Sequence, residues 1–134
     1  MKNKIIVIGG GGYAKVIISA IKKLDEYEII GYTDPLDKGS VLGIKYLGTD
    51  DVLKNIIKKN KNCKAVIGVK NSLISKKRNR LFEMLKTIGF NLPVIVSKSA
   101  IINEGVSIGE GTIILEGAII NVGSVIGRGV IVNS

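Results

Sequence analysis

Residues 100–134 repeat with a period of six, and this repeat restricts the fold more than any other feature of the sequence. One column is always branched and apolar, one is always glycine, and one is always small or β-branched. The members are Ile102, Ile108, Ile114, Ile120, Ile126 and Val132; Gly105, Gly111, Gly117, Gly123 and Gly129; and Ala100, Val106, Thr112, Ala118, Ser124 and Val130. This period matches neither an α-helix nor an alternating strand, and is typical of a parallel β-solenoid in which each hexad supplies one strand and one turn. A stack of hairpins is the alternative, but it gives no reason for glycine to return at one phase.

The composition of the 134 residues, 46% of them hydrophobic, is that of a globular protein. No uncharged apolar run reaches the ~18 residues that suggest a membrane span, and Met1–Ile5 leads directly into a strand rather than a signal peptide. We therefore predict no membrane insertion. Cys63 is the only cysteine, so no internal disulfide forms and a cytoplasmic location is expected.

The net charge of +9 raises the question of a polyanionic partner. The lysines are scattered along the chain with few aromatic residues among them, which favours a solvated surface over a nucleic-acid interface. No nucleic-acid partner is predicted. The sequence contains no histidine, and no metal site is predicted.

A βαβ unit opens the chain. Lys4–Ile8 is an apolar run typical of a buried parallel strand, four glycines follow at Gly9–Gly12, and the apolar residues of 13–21 have helical spacing. Residues 28–33 predict the second strand, which ends at Asp34. Free backbone N–H groups and the helix dipole meet where the glycines enter the helix, an arrangement that binds anions.

The glycines also allow a different interpretation. The spacing Gly9-x-Gly11-x-x-Ala14 satisfies the relaxed dinucleotide fingerprint, and Asp34 lies near the place of a ribose-binding acid. A fragment of a NAD-dependent oxidoreductase is therefore one alternative. Against it, no tyrosine–lysine pair or histidine is clearly placed for hydride transfer.

Two amphipathic helices are predicted before the repeat. The first begins near Thr49 or Asp50, and the second covers Ser75–Ile88 and ends at Gly89. Pro93 marks the change to the repeat. The predicted domains are residues 1–93 and 94–134.

The whole chain resembles the hexapeptide-repeat sugar acetyltransferases, of the sialic acid O-acetyltransferase and UDP-sugar N-acetyltransferase type. The matching segments are Gly9–Lys15 for the family's G-x-x-G-H-G-K loop, Asp34 after the second strand, Gly68 before the polar residues Lys70 and Asn71, Arg78 or Arg80 at the next helix, and Val94–Ala100 before the solenoid. The resemblance implies an α/β fold: a small Rossmann-like N-terminal domain followed by a short left-handed parallel β-helix with three hexads per coil.

The resemblance also implies a site for a UDP- or CMP-sugar. Its residues would be Gly9, Gly10, Gly11, Gly12, Tyr13, Asp34, Gly68, Lys70, Asn71 and Arg78. The residues themselves leave alternatives open. Asp34 precedes Pro35 and is also a typical turn residue, Tyr13 is also a typical core aromatic, and Arg78 is also a typical solvated side chain.

The sequence departs from the family where catalysis is concerned. Tyr13 and Ser97 replace two of the family's histidines. The family's third histidine, the catalytic one, follows an I-N-[ST] tripeptide by a few residues, and residues 132–134 match that tripeptide. We therefore assign no catalytic residue. Acetyl-CoA is the implied co-substrate, and the chain alone is predicted to be an inactive, nucleotide-sugar-binding part of the enzyme. A non-catalytic nucleotide-sugar-binding or assembly module is a second alternative.

Six hexads make about two coils, fewer than a solenoid generally needs. We therefore expect that the active protein is longer or that another subunit covers the last coil. The family forms trimers, and a homotrimer is expected here. We expect its contact surface to be formed by the outward isoleucines one position before the inward column, which are Ile101, Ile113, Ile119 and Ile131.

Overall fold

A computed structural model of the chain describes residues 2–70 and 76–133. The α/β half contains β1 (Asn3–Ile8), α1 (Gly12–Leu24), β2 (Tyr27–Thr33), β3 (Tyr46–Gly48), a short 3₁₀ turn (Asp50–Val52), α2 (Leu53–Lys59), β4 (Lys64–Ile67) and α3 (Lys77–Ile88). Seven two-residue strands follow: β5 (Ile95–Val96), β6 (Ile101–Ile102), β7 (Ser107–Ile108), β8 (Ile113–Ile114), β9 (Ile119–Ile120), β10 (Val125–Ile126) and β11 (Ile131–Val132).

The first four strands form one parallel sheet in the order β3-β2-β1-β4. Successive residues of β1 face opposite sides of it, so Ile5 packs with α1 while Ile6 packs with α2 and α3. Helices on both faces explain why β1 reads as a continuous apolar run. The Rossmann-like half is thus confirmed, although β3 was not predicted.

The helix ends follow the sequence signals. Thr49 accepts a hydrogen bond from the backbone N–H of Asp51 and begins the 3₁₀ turn that leads into α2. Gly89 ends α3 with a φ of 120°, a conformation that favours glycine. The start of the Ser75–Ile88 prediction lies partly outside the described residues; the described helix begins at Lys77.

The hexads form a parallel β-helix with three faces. Strands pair with the strand three hexads later, which gives the sheets β5-β8-β11, β6-β9 and β7-β10. The five glycines of the repeat all have φ between 65° and 78°, which places each turn in the left-handed region. The inward column packs around Ile114 and Ile120, whereas its first member, Ile102, is exposed.

The outward isoleucines divide between two faces. Ile113 is fully buried, because it and Ile95 belong to the same core cluster as α1, and Ile131 packs partly against that cluster. The expectation that Ile113 belongs to an exposed contact surface is therefore wrong. Ile101 and Ile119, on the sheet β6-β9, are 53% and 64% exposed. Periodicity identifies an outward position but does not identify which face the other domain covers.

Across residues 2–70 and 76–133, no helix combines the length and apolar character needed to cross a membrane.

Candidate functional site

The site is centred on the glycine loop between β1 and α1. Gly9 has a φ of 106°, and its N–H donates to the carbonyl of Thr33 at 2.6 Å. Gly10 lies against the ring of Tyr32, where a Cβ would meet a ring carbon at 2.4 Å. Both positions therefore require glycine, and they bring the loop to the carboxyl end of β2.

Gly11 and Gly12 differ from these two because they face open space. Among residues 2–70 and 76–133, only Lys38 Nζ, at 3.9 Å, approaches the place of a Gly11 Cβ, and nothing lies within 4 Å of a Gly12 Cβ. Gly11 is the N-cap of α1 without a side-chain cap, and no acidic residue occupies the first turn. N–H groups without an intrahelical partner and the positive end of a thirteen-residue helix therefore coincide here, which favours an anion.

Asp34 fixes the loop from the neighbouring strand. Its carboxylate accepts hydrogen bonds from the N–H of Gly10 at 2.9 Å and of Leu36 at 3.0 Å. Burial acts to raise the pKa of Asp34, but these bonds and the cations Lys38 and Lys77 outweigh it and lower the pKa. Asp34 is therefore a turn residue, through its bond to Leu36, and it also supports the glycine loop, through its bond to Gly10.

Asp34 also lines a small cavity. Thr33, Asp50 and Lys77 line it together with Gly9. The Thr33 hydroxyl is fully buried and faces the Asp50 carboxylate; burial raises the pKa of Asp50, and the interaction with Thr33 opposes that rise in part. Neither Thr33 nor Asp50 was predicted as a site residue. The only sequence signal for them is their position at the carboxyl ends of strands, where ligands of parallel sheets bind.

A groove of about 370 Å³ runs from Tyr13 to the last described coil of the β-helix. Tyr13, Lys70 and Arg78 contribute from the α/β half, and Arg128 and Asn133 from the β-helix. The Lys70 ammonium lies 5.1 Å from the centroid of the Tyr13 ring. Arg128 was not predicted, although it is the only basic residue of the hexads.

Arg78 connects the two halves of the molecule. Its guanidinium donates to the carbonyls of Ile67 at 2.5 Å and Val69 at 3.0 Å. It also donates to the β-helix carbonyls of Gly111 at 3.2 Å and Gly129 at 2.8 Å. Only 2% of the residue is exposed, and burial lowers its pKa to about 10, so it stays charged at neutral pH. The alternative that Arg78 is a solvated side chain is wrong, because four carbonyls take the place of water.

Two further residues were predicted for the site, Gly68 and Asn71. Gly68 is a packing position, because its N–H donates to the Ile8 carbonyl at 2.8 Å and a Cβ would lie 3.2 Å from that of Ala14. Asn71 lies outside the described residues. The structure thus brings together Gly11, Gly12, Tyr13 and Lys70 at one surface, with Asp34 and Arg78 holding the backbone around them.

Comparison with known proteins shows which family has this α/β half. Residues 4–85 match the family model of the PglD N-terminal domain. No curated protein matches the chain at a significant level.

Solved structures match over nearly the whole chain. One is the H141N mutant of perosamine N-acetyltransferase from Caulobacter crescentus in complex with CoA and GDP-perosamine (26% identity, TM-score 0.87). Another is the acetyltransferase domain of PglB from Neisseria gonorrhoeae FA1090 (32% identity, TM-score 0.88), which was also solved with acetyl coenzyme A. They cover 98% and 99% of this chain, and the chain covers 60% and 63% of theirs, so it spans less than two thirds of their length.

These matches agree in fold with the parallel sheet and β-helix described above. The resemblance to the hexapeptide-repeat sugar acetyltransferases is confirmed, and the match over more than half of the chain shows that it belongs to the PglD N-terminal domain family.

Proposed function

We propose that this chain is the nucleotide-sugar-binding part of an acetyl-CoA-dependent sugar acetyltransferase. The observation that carries the proposal is the continuity of two features: an uncapped helix N-terminus at Gly11 and Gly12, and a groove that begins at the next residue, Tyr13. The backbone N–H groups would hold the diphosphate, and the sugar would extend into the groove. The structural relatives solved with GDP-perosamine support this class of ligand.

The base of the nucleotide is part of the proposal. From the family resemblance we propose a UDP- or CMP-sugar, while the Caulobacter relative was solved with a GDP-sugar. The Asp50 carboxylate lines the small cavity beside Asp34 and is the group that would contact the nucleoside, with Thr33 next to it. All three nucleotides therefore belong in the binding experiment.

Acetyl-CoA is the proposed co-substrate, and it would supply the acetyl group as a thioester. The groove of about 370 Å³ lies near the lower end of the ~300–1,000 Å³ range of ligand pockets, which suits a sugar better than coenzyme A. We assign none of the described residues to acetyl-CoA. This chain would contribute to the reaction by holding the acceptor sugar next to the β-helix.

The 134 residues are proposed to be inactive alone. Transfer requires a base that takes the proton of the sugar amine or hydroxyl, a contribution of about 10²–10⁴-fold. The sequence has no histidine, and Asp34 and Glu110, whose pKa values are lowered, are poor bases near neutral pH. A thiol-release assay with acetyl-CoA and amino-sugar nucleotides should give no turnover above background, and robust turnover would contradict the proposal.

Titration calorimetry tests the binding function. We expect saturable binding of a UDP-, CMP- or GDP-sugar, and weaker binding of NAD and free CoA. Gly12→Leu should abolish binding without unfolding the chain, because space surrounds Gly12 while the new side chain covers the helix N-terminus. Val16→Leu, at an exposed position of the same helix, is the control. Tighter binding of NAD than of every nucleotide sugar would favour the oxidoreductase alternative.

We also propose that the chain assembles as a homotrimer. The exposed isoleucines Ile101 and Ile119 support an interface on the sheet β6-β9, because apolar side chains at neighbouring positions are unfavourable in water.

A further inference from the structure

The charges around the glycine loop do not favour a diphosphate through the helix dipole alone. A helix N-terminus contributes roughly half a positive charge. Asp34 places a full negative charge beside it, because its carboxylate accepts from the N–H of Gly10 at 2.9 Å and its lowered pKa keeps it ionised at neutral pH. A diphosphate at this place would therefore need a cation that offsets Asp34.

Lys38 is the cation that lies closest to the loop. Its Nζ is 3.9 Å from the place of a Gly11 Cβ, and no other described side chain comes within 4 Å of that place. Among the described residues, the Lys38 ammonium takes part in no ion pair. Lys77 is less suited to this role, because its charge acts on both Asp34 and Asp50 and is shared between two carboxylates.

The position of Lys38 is fixed by a buried tyrosine. Tyr32 is fully buried, and its hydroxyl accepts from the N–H of Lys38 at 3.0 Å and donates to the carbonyl of Gly39 at 2.8 Å. The ring of the same tyrosine lies against Gly10. One rigid side chain thus contacts both the glycine loop and the backbone of Lys38, so it sets the distance between them.

The remaining bonds of residues 34–39 hold this loop in one shape. The carboxylate of Asp37 accepts from the N–H of Gly39 at 2.8 Å, so it is engaged within its own loop. The Tyr46 hydroxyl donates to the carbonyl of Asp34 at 2.9 Å, and the Tyr46 ring packs at a tilt against Tyr32, with 5.4 Å between the centroids. Because the loop is already ordered, a ligand that meets Lys38 has little more than the lysine side chain to immobilise.

We infer that Lys38 binds the diphosphate together with the N–H groups of Gly11 and Gly12, and that Tyr32 is the positioning residue that holds Lys38 there. The inference rests on the proposed nucleotide-sugar function and adds two residues to that site. Both act at the diphosphate rather than at the sugar, so an amino sugar remains a suitable acceptor.

The first test changes the charge. Titration calorimetry on the full chain, with whichever UDP-, CMP- or GDP-sugar binds, should show about tenfold weaker binding for Lys38→Met, the effect of one charge-assisted hydrogen bond. Lys38→Arg should retain most of the affinity. Lys45→Met, at an exposed lysine that lines a different cavity beside α2, should leave it unchanged. The loss for Lys38→Met should shrink in 0.5 M NaCl, because salt screens exposed charges, whereas a loss caused by a damaged fold would not.

The second test asks whether Tyr32 acts through Lys38. Tyr32→Phe removes the hydroxyl but keeps the ring that packs on Gly10. It should remove part of the tenfold effect in the wild-type chain and cause no further loss in the Lys38→Met chain, because residues that act as a unit are not additive. Circular dichroism checks that both variants fold. An equal loss in both backgrounds would show that Tyr32 acts on the fold alone and would contradict its positioning role.

The outcomes separate this inference from the proposed function. If no nucleotide sugar binds the wild-type chain, both are overturned. If a nucleotide sugar binds and Lys38→Met leaves its affinity unchanged, the inference alone is overturned. A loss for Lys38→Met that is the same at low and high salt would also overturn it, because the lysine would then not act through its charge.

Discussion

At the scale of single residues, the site is shaped by side chains that bond to backbone atoms. Asp34 accepts from two N–H groups of the surrounding loops, and Arg78 donates to carbonyls of both halves. Neither side chain needs a ligand to complete these bonds. Their substitution should therefore reduce stability directly, and ligand affinity through the backbone they hold.

Asp34→Asn should lower the free energy of unfolding by roughly 1–2 kcal/mol at pH 7, because the hydrogen bonds to Gly10 and Leu36 lose their charged acceptor. The folded pKa of Asp34 is lowered, so its contribution is present above the unfolded pKa of about 3.9 and is lost as pH falls through the folded pKa. Urea unfolding at pH 7 and pH 3 should thus show a difference between wild type and variant that shrinks in acid. Glu26→Gln, at an exposed position, is the control. An equal difference at both pH values would contradict this account.

Arg78→Met should cost about 3 kcal/mol or more, because buried carbonyls of both halves lose their donor. Arg80→Met, two residues along the same helix and exposed, should stay within about 0.5 kcal/mol of the wild type. Chemical unfolding followed by far-ultraviolet circular dichroism measures both variants. Equal stability of the two variants would show that Arg78 does not connect the halves as described.

At the scale of elements, the β-helix depends on how closely successive coils approach. Gly109 and Gly127 occupy the same phase one coil apart. A Cβ on Gly109 would lie 2.5 Å from the carbonyl carbon of Gly127, while a Cβ on Gly127 would meet no described residue within 4 Å. One glycine is therefore required by contact between backbones, and the other is not.

The matched pair Gly109→Ala and Gly127→Ala tests this difference. We expect Gly109→Ala to destabilise the chain by about 1–3 kcal/mol, because backbone cannot move aside as a flexible side chain can. Gly127→Ala should be neutral or slightly stabilising, since alanine restricts the unfolded chain. Thermal unfolding by calorimetry gives both values, and a larger loss for Gly127→Ala would be inconsistent with the stacking of the coils.

The elements also show what sequence could predict. Period-six spacing identified the β-helix, and an apolar run followed by glycines identified β1, the loop and α1, because these patterns arise from local geometry. Strand β3 has only three residues and is held by pairing with β2, so its formation depends on distant contacts. The burial of Ile113 and the bonding of Arg78 depend on how the two halves pack, which no local pattern records.

At the scale of the whole molecule, the two halves form one continuous structure around the site. A shared apolar cluster joins α1 to Ile95 and Ile113, and the ion pairs Lys23–Glu116 and Lys86–Glu110 lie at 2.8 and 2.7 Å. The first pair is exposed and the second is half-buried, and ion pairs at a protein surface add little stability, so the apolar contact and Arg78 dominate the connection. The groove between the halves is therefore a fixed feature rather than a gap between independent domains.

The proposed assembly can be tested on the exposed face. Ile119→Asp should dissociate the oligomer without unfolding the chain, because Ile119 is 64% exposed in the single chain. Ile113→Asp should instead unfold or strongly destabilise it, since a carboxylate would be buried in the core cluster. Light scattering and circular dichroism distinguish the two results. A wild-type chain that remains monomeric at high concentration would contradict the assembly.

The central claim is that the glycine loop binds the diphosphate of a nucleotide sugar, and amide chemical shifts test it most directly. In a ¹⁵N-labelled chain, titration with a nucleotide sugar should shift the backbone amides of Gly11, Gly12 and Tyr13 saturably, because their N–H groups would donate to phosphate oxygens. The amide of Lys58 on α2 should not move. Saturable binding that leaves the three loop amides unchanged, or shifts confined to another surface, would contradict the claim.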